Sequence, residues 1–365
     1  MSKKIVISTF GSFGDVHPYI AIALELKRRG HRPLIATSDL YREKMDALGL
    51  DFCPVRPKLP GHDQPDEVQR MVAYLMDAKR GPQRMFSEMI IPHLRDTYDD
   101  LSAATAGADL LLTHPLPFVG PLVARKTGVR WASSVLAPMS LASAYDPPVP
   151  PQMPAAHKLF SQSPLLARAA LAVGKRMFDP MFEPLYQLRA ELGLPRRDGH
   201  PAFEGQHSPA LVLALFSALI GAPQPDWPAN TVVTGFCFYD RLDFRGEQSA
   251  PPELLDFLDA GPPPVLFTLG SSAFWVAQDF YRESITAART LGRRALLLIG
   301  EARNRPAEPL PEEVAAFDYA PYGEVMPRCE AIVHQGGIGT TAQALRAGRP
   351  TLVVPFAFDQ HDNAE

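Results

Sequence analysis

The chain has 365 residues, of which 46% are apolar and 21% charged, and a net charge of −4. That size and balance suit a soluble protein of two domains with full cores. They argue against a nucleic-acid partner, since no basic stretch interleaves with aromatics, and no apolar run approaches the roughly 20 residues that span a bilayer.

Residues 5–8 read as a strand, Phe10-Gly11-Ser12-Phe13-Gly14-Asp15 as a glycine turn, and 18–29 as an amphipathic helix ended by Gly30. Residues 32–37 form a second strand and 41–48 a second helix stopped by Gly49; 110–112 and 131–135 are later strands, with a helix over 119–126 between them. The alternation predicts a parallel sheet with helices on both faces. Residues 157–194 break the rhythm, setting Leu165, Leu166, Met177 and Phe178 among Lys158, Arg168, Lys175 and Arg176. A helical hairpin is expected there, interrupted at Pro180 and Pro184. It is either packed on the sheet or is an acceptor-recognition flap with apolar and basic faces that makes a peripheral membrane contact.

Residues 1–238 then make the N-terminal domain and 239–264 a Pro-, Gly- and charge-rich linker. The rhythm resumes in 265–365, with strands at 264–269 and 295–299, a helix at 280–291, and a loop at 317–321 after a short strand. Two such domains would face a cleft with the carboxyl ends of their strands, where ligands bind in folds of this class. Cys53, Cys237 and Cys329 stand far apart, with no metal-ligand spacing and no evident disulfide set, which fits a reducing cytoplasm. Met1-Ser2-Lys3-Lys4 leads straight into the first strand, too soon polar for a signal peptide.

The densest signal is His334-Gln335-Gly336-Gly337-Ile338-Gly339-Thr340-Thr341. The apolar Ala331-Ile332-Val333 before it reads as a buried strand, and 341–347 after it as a helix. Free backbone N–H groups at a helix N-terminus bind anions, and glycines let the anion come close. The pattern predicts a diphosphate site, with Asp359 and Gln360 downstream able to hold a sugar.

Together these residues resemble the inverting, metal-independent UDP-glycosyltransferases of the GT-B fold, in a bacterial sterol-glucosyltransferase and rhamnosyltransferase-like branch. The stretch His334 to Asn363 is similar to the donor-binding signature of that family. Gly11-Ser12-Phe13-Gly14-Asp15-Val16-His17-Pro18 resembles its Gly-Ser-x-Gly-Asp-Val-x-Pro opening. Ala222-Pro223-Gln224-Pro225-Asp226-Trp227-Pro228, followed by Thr234-Gly235-Phe236, resembles rhamnosyltransferases of the rhamnolipid type. Family members continue for several helices past the Asp-Gln element, so the C-terminal, donor-binding domain reads as incomplete at Glu365.

The resemblance implies a transfer of glucose or rhamnose from a UDP- or dTDP-sugar co-substrate to a hydroxyl of a hydrophobic small-molecule or lipid acceptor, with no cofactor and no metal. It makes Asp15 the general base, a position where Asp is also a good helix cap. An ordinary Asp pKa of roughly 4 is low for a base at neutral pH, so burial must raise it or the proton must leave late. His114 falls where plant members carry the Asp that orients their catalytic His, giving a reversed Asp15–His114 pair. On the donor side it implies His334, Gly336, Gly337, Gly339, Thr340 and Thr341 for the diphosphate, and Ser271 and Ser272 for the β-phosphate. Tyr319 and Ala320 would lie at the base, with Tyr319 stacking on it, and Asp359 and Gln360 at the sugar. Ala342 replaces a ribose-binding Glu of plant relatives. His17, Phe86, Phe118 and Met139 are acceptor candidates in apolar loops that also carry Met85, Met89 and Met153. Two other readings remain open: a non-catalytic sugar-nucleotide or lipid-binding homologue, and an NAD-dependent oxidoreductase suggested by the first glycine turn and Asp39.

Overall fold

The computed structural model describes residues 1–61, 63–116, 118–150, 154–239, 249–306 and 309–365. Met153 and residues 240–248 of the expected linker lie outside the described residues. The strands are β1 (Lys4–Ser8), β2 (Arg32–Thr37), β3 (Asp51–Pro54), β4 (Leu110–Thr113), β5 (Arg130–Val135), β6 (Val212–Ala214), β7 (Thr231–Val233), β8 (Val265–Thr268), β9 (Ala295–Leu298), β10 (Val314–Phe317), β11 (Ala331–His334) and β12 (Thr351–Val353). The helices are α1 (Phe13–Arg28), α2 (Arg42–Ala47), α3 (Pro65–Leu75), α4 (Gly81–Arg84), α5 (Leu94–Thr105), α6 (Gly120–Thr127), α7 (Pro154–Phe160), α8 (Pro164–Phe178), α9 (Glu183–Glu191), α10 (Pro252–Asp259), α11 (Phe280–Leu291), α12 (Tyr322–Val325) and α13 (Ile338–Ala347). No helix among the described residues is long and apolar enough to cross a membrane.

Two compact units form: residues 1–61 with 79–239, and 62–78 with 240–365. The first is built on a seven-stranded sheet in the order β3-β2-β1-β4-β5-β6-β7, parallel throughout. Its interior strand β1 is buried along Ile5, Val6 and Ile7, the continuous apolar run expected where helices cover both faces. Val6 and Leu111 join Leu101 of α5, Leu122 of α6 and Phe182, Leu185 and Tyr186 around α9 in one core cluster. The hairpin region therefore packs part of itself on the sheet through Phe182 and α9, while α8 buries only Ala167. Pro180 sits in a 3-10 turn (Asp179–Phe182), and Pro184 occupies the first turn of α9, where a missing N–H is tolerated.

α1 begins at Phe13, five residues before Pro18, where a proline at a helix start was expected. A capping box explains the earlier start. Ser12 Oγ accepts from Gly14 N at 3.3 Å, and the Asp15 carboxylate accepts from Ser12 N at 2.8 Å, so free N–H groups at the helix start are met locally. Asp15 is thus the third residue of the helix and the partner of its cap, with Ser12 as the N-cap.

The second unit holds a five-stranded parallel sheet in the order β10-β9-β8-β11-β12. Alternate side chains divide between two cores. Phe267, Leu297 and Val333 belong to one, and Leu266, Leu296 and Ile332 to the other, the period-two signature of a strand. Residues 62–78 join this unit, away from the N-terminal half to which the sequence reading assigned them. The reason is apolar: Val72 and Met76, on and just after α3, pack into the cluster of Phe267, Leu269 and Ala273. Arg303 adds a hydrogen bond to Gln69.

Candidate active site

In the first unit the parallel order brings the loops after β1, β4 and β5 to one edge of the sheet. These loops, with the first turn of α1, carry Asp15, His114 and Met139. Gly11 makes the turn possible: its φ is +132°, and a Cβ there would lie 2.3 Å from Asp15 Oδ2, so the carboxylate folds back into space that only glycine leaves open. Oδ2 accepts from Ser12 N at 2.8 Å and Ser12 Oγ at 3.2 Å. Oδ1 faces His114 Nε2 at 3.8 Å, beyond hydrogen-bond range. Burial raises the Asp15 pKa to about 6, against the lowering effect of the Ser12 hydrogen bonds. Its side chain nevertheless keeps 35% exposure, enough for a ligand to reach.

His114 is held by its own loop. Its Nδ1 accepts from Leu116 N at 3.2 Å, which requires the neutral tautomer with hydrogen on Nε2, the nitrogen turned toward Asp15. Burial lowers its pKa to about 4, so the ring is neutral over the physiological range. Tyr19 packs edge-on against it, with ring centroids 6.0 Å apart, and Tyr19 Oη is anchored by Ser134 Oγ at 2.8 Å.

The acceptor candidates fare differently. Met139 is half-buried in the turn after β5. His17 Nε2 faces Lys44 Nζ at 3.0 Å; because a lysine can only donate, that nitrogen is an acceptor already in use. The ring lies between Phe13 and Tyr239, and burial, then Lys44, holds its pKa well below the usual range. Phe118 is a core residue, 5% exposed, edge-on to Phe86 and Phe182 at 5.4 and 5.1 Å. These contacts place the half-buried His17 in a polar-aromatic cluster and Phe118 in the packing of the sheet. Phe86, partly buried, packs on the same core.

In the second unit, β8, β10, β11 and β12 deliver Ser271–Ser272, Tyr319–Ala320, His334 and Asp359–Gln360 to one edge of the sheet, since all its strands run parallel. Gly336, at φ +88°, takes the chain from β11 into α13; a Cβ there would meet Val353 Cγ1 at 2.5 Å. Gly337 is the N-cap of α13. Gly339 has no atom within 4 Å of its open side, so the first turn of the helix is approachable there. Thr341 Oγ1 donates to Gly337 O at 3.1 Å, and Thr340 Oγ1 accepts from Gln335 Nε2 at 3.4 Å.

His334 is fully buried. Its Nδ1 accepts from Gly336 N at 2.9 Å, so the neutral ring carries its hydrogen on Nε2, and that nitrogen has no partner. Burial holds its pKa at about 4. A buried N–H without an acceptor costs about 1–3 kcal/mol, and an anion's oxygen would satisfy it.

Gln335 and Asn363, quoted within the signature but given no role there, organise this loop. Gln335 Nε2 lies 2.1 and 2.7 Å from where Cβ atoms would sit at Gly270 and Gly337. The amide therefore fills the space between the Ser271–Ser272 loop and the start of α13, and these two glycines make room for it. Asn363 Nδ2 donates to Gly336 O at 2.9 Å and to Asp359 Oδ2 at 2.8 Å, tying Asp359 to the turn. Gln360 Oε1 accepts from Phe356 N and Ala357 N at 2.8 and 3.1 Å; its carbonyl braces the loop, leaving the amide nitrogen for a ligand. Tyr319 is half-buried after β10 and Ala320 is buried. The sequence signal for Gln335 was its glycines at 270 and 337, legible only once these meet in space.

Comparison with known proteins agrees with this architecture. Residues 5–104 match the glycosyltransferase family 28 N-terminal domain, and residues 286–365 the C-terminal domain of erythromycin biosynthesis protein CIII-like enzymes. The chain is 32% identical over 370 residues to O-mycaminosyltylonolide 6-deoxyallosyltransferase of Streptomyces fradiae, covering 98% of this chain and 81% of that protein. It is 28% identical to a sterol 3-beta-glucosyltransferase of Leptosphaeria maculans, of which it spans 24%. Among solved structures, a Streptomyces sp. glycosyltransferase complexed with thymidine diphosphate shares the fold, with a TM-score of 0.58 at 21% identity over 98% of this chain and 83% of that one. The oxidoreductase and non-catalytic readings are thereby set aside. With two parallel-sheet units of the GT-B type and a relative 32% identical that is covered over 81% of its length, this chain belongs to the GT-B glycosyltransferase family of that macrolide sugar transferase and is a glycosyltransferase.

Proposed function

We propose that the chain transfers a hexose, glucose or rhamnose, from a dTDP- or UDP-sugar to a hydroxyl of a hydrophobic acceptor, with inversion and without a metal. The observation that carries this reading is the turn between β11 and α13, where the unpartnered Nε2–H of His334 adjoins the glycine-lined helix start. A neutral ring N–H and the positive end of a helix dipole are suited to a leaving diphosphate, and supply without a metal the positive potential that leaving group needs.

Asp15 is the base in this proposal. Its Oδ1, not engaged by the cap, takes the acceptor proton as the sugar carbon departs from the diphosphate and bonds to the acceptor oxygen. His114 Nε2–H steadies the charge on the carboxylate. Attack from the face opposite the diphosphate inverts the anomeric carbon. Asp359, held by Asn363, and the amide nitrogen of Gln360 grip sugar hydroxyls, and Ser271 and Ser272 the β-phosphate. Tyr319 stacks on the base.

A thymidine nucleotide is favoured over uridine, because a solved protein of this fold binds thymidine diphosphate. A polyketide or sterol-like acceptor is favoured by the substrates named for the relatives, a macrolide and sterols, and by the half-buried Met139 in the turn after β5. The unpaired cysteines support a reducing, cytoplasmic location.

The test is product formation. The purified chain is incubated with dTDP-rhamnose or UDP-glucose and a panel of macrolactones, sterols and flavonoids, with and without EDTA, and products are read by mass spectrometry. Proton NMR of the product's anomeric centre tests inversion. Retained configuration, or activity abolished by EDTA and restored by a metal, overturns those parts. Absence of any product while His334-dependent binding of both nucleotides persists overturns the choice of acceptor class.

A further inference from the structure

The outward face of α8 is apolar. Leu165, Val173 and Met177 are 73%, 59% and 75% exposed, and Leu166, Ala169 and Ala172 are exposed beside them. Their spacing follows one stripe of a helix. A surface helix normally turns such a stripe inward, yet α8 buries only Ala167. Scattered exposed leucines are ordinary; a continuous stripe marks a surface that meets something apolar.

The same segment is basic. Residues 154–178 include Lys158, Arg168, Lys175 and Arg176 and no Asp or Glu, in a chain whose net charge is −4. Lys175 is paired with Glu204, and Arg168 donates to Tyr145 Oη at 3.2 Å. Lys158 and Arg176 make no ion pair among the described residues. Arg176 lies within the apolar stripe, one position before Met177, where its stem can follow the apolar surface while its guanidinium reaches outward.

We propose that α8 docks on an anionic phospholipid surface, lying in the headgroup plane with Leu165, Val173 and Met177 inserted and Arg168, Arg176 and Lys158 among the phosphates. A bilayer offers both the apolar medium and the fixed negative charge that this face complements. A second copy of the chain fits less well, because a two-fold contact through this stripe would set Arg168 and Arg176 against the same basic stripe of the copy, with no carboxylate between 154 and 178 to pair them. The proposal does not rest on the transferase reading, and its readout is independent of activity.

The test is co-sedimentation of the full chain with phosphatidylglycerol and phosphatidylcholine vesicles. The wild type is compared with a Leu165→Gln, Val173→Gln, Met177→Gln variant and with an Arg168→Gln, Arg176→Gln variant. The wild type should bind phosphatidylglycerol, roughly tenfold or more tightly than phosphatidylcholine, and release as salt rises. Both variants should lose roughly tenfold or more of that binding, with far-UV circular dichroism unchanged because the altered side chains are exposed. Three results overturn the proposal: no binding to phosphatidylglycerol, equal binding by both variants, or a wild-type dimer that the triple variant converts to monomer, which assigns the face to a second copy.

Discussion

His114 Nε2 lies 3.8 Å from Asp15 Oδ1, and the opposite nitrogen of the same ring accepts the Leu116 N–H. The second contact decides the first. Because Nδ1 is an acceptor, the hydrogen must sit on Nε2, so a neutral N–H dipole points at the carboxylate. A neutral histidine is a poor base when its only open nitrogen already carries the proton. In the proposed reaction this leaves proton abstraction to Asp15 and charge stabilisation to His114.

Transfer should depend on ionised Asp15. Burial holds its pKa at about 6, so below that pH the base is protonated and idle, and kcat/KM should climb with pH and level off above it. His114, pushed to about 4, contributes no second limb in that range. Asp15→Asn should lower kcat by roughly 10²-fold or more and abolish the limb. A flat profile between about pH 5 and 8, or near-normal turnover by the asparagine variant, removes Asp15 from the role.

The same variant should gain stability where it loses activity. A carboxyl whose folded-state pKa exceeds its unfolded value binds its proton more tightly when folded. Its favourable contribution is complete at low pH and is lost as pH rises through about 6. Asparagine escapes that loss and can still accept from Ser12 N. Thermal melts should show Asp15→Asn above wild type at about pH 8, with the gap narrowing by about pH 5. A gap that widens toward acid contradicts the burial argument.

His334→Asn separates the two nitrogens of that ring. The asparagine oxygen stands where Nδ1 stands and can keep the Gly336 N–H, while nothing replaces Nε2–H. Donor KM should rise or kcat fall by roughly 10²-fold, the size expected for one lost donor to developing charge, with thermal stability close to wild type. Donor KM and kcat both unchanged would place the diphosphate elsewhere.

Gly270→Ala should damage the donor loop through Gln335. The new Cβ would fall 2.1 Å from Gln335 Nε2, forcing the amide out at about 1–3 kcal/mol. Gln335→Ala in the same chain removes the clash. The double variant should therefore be more stable than Gly270→Ala alone, a non-additivity that a double-mutant cycle on melting temperatures reads directly. Additive losses would mean that the two positions do not touch.

The end of β1 shows how local signals and tertiary packing divide the work. A Gly-Ser-x-Gly-Asp run after an apolar strand announces a turn into a helix with a carboxylate in its first turn, because capping and glycine conformations are local properties. Strands β1, β2, β4, β5, β8, β9 and β11, most helices and the glycine turn before α13 were readable for the same reason, while the short β3, β6, β7 and β12 were not. Three things were not local. The approach of His114 to Asp15, which only the family resemblance suggested, required β1 and β4, about a hundred residues apart in sequence, to lie side by side. The removal of α3 to the second unit followed from the contacts of Val72 and Met76, which no periodicity specifies. The edge-on packing of Phe118 on Phe86 and Phe182 and the contact of His17 with Lys44 likewise arise only when distant segments meet. By itself, then, the sequence determined which chemistry the chain carries and on which kind of turn. The tertiary structure decided which oxygen of Asp15 is open, which nitrogen of His114 and of His334 holds the proton, and which glycines exist to seat Gln335, because burial and hydrogen-bond partners arise only when distant strands meet.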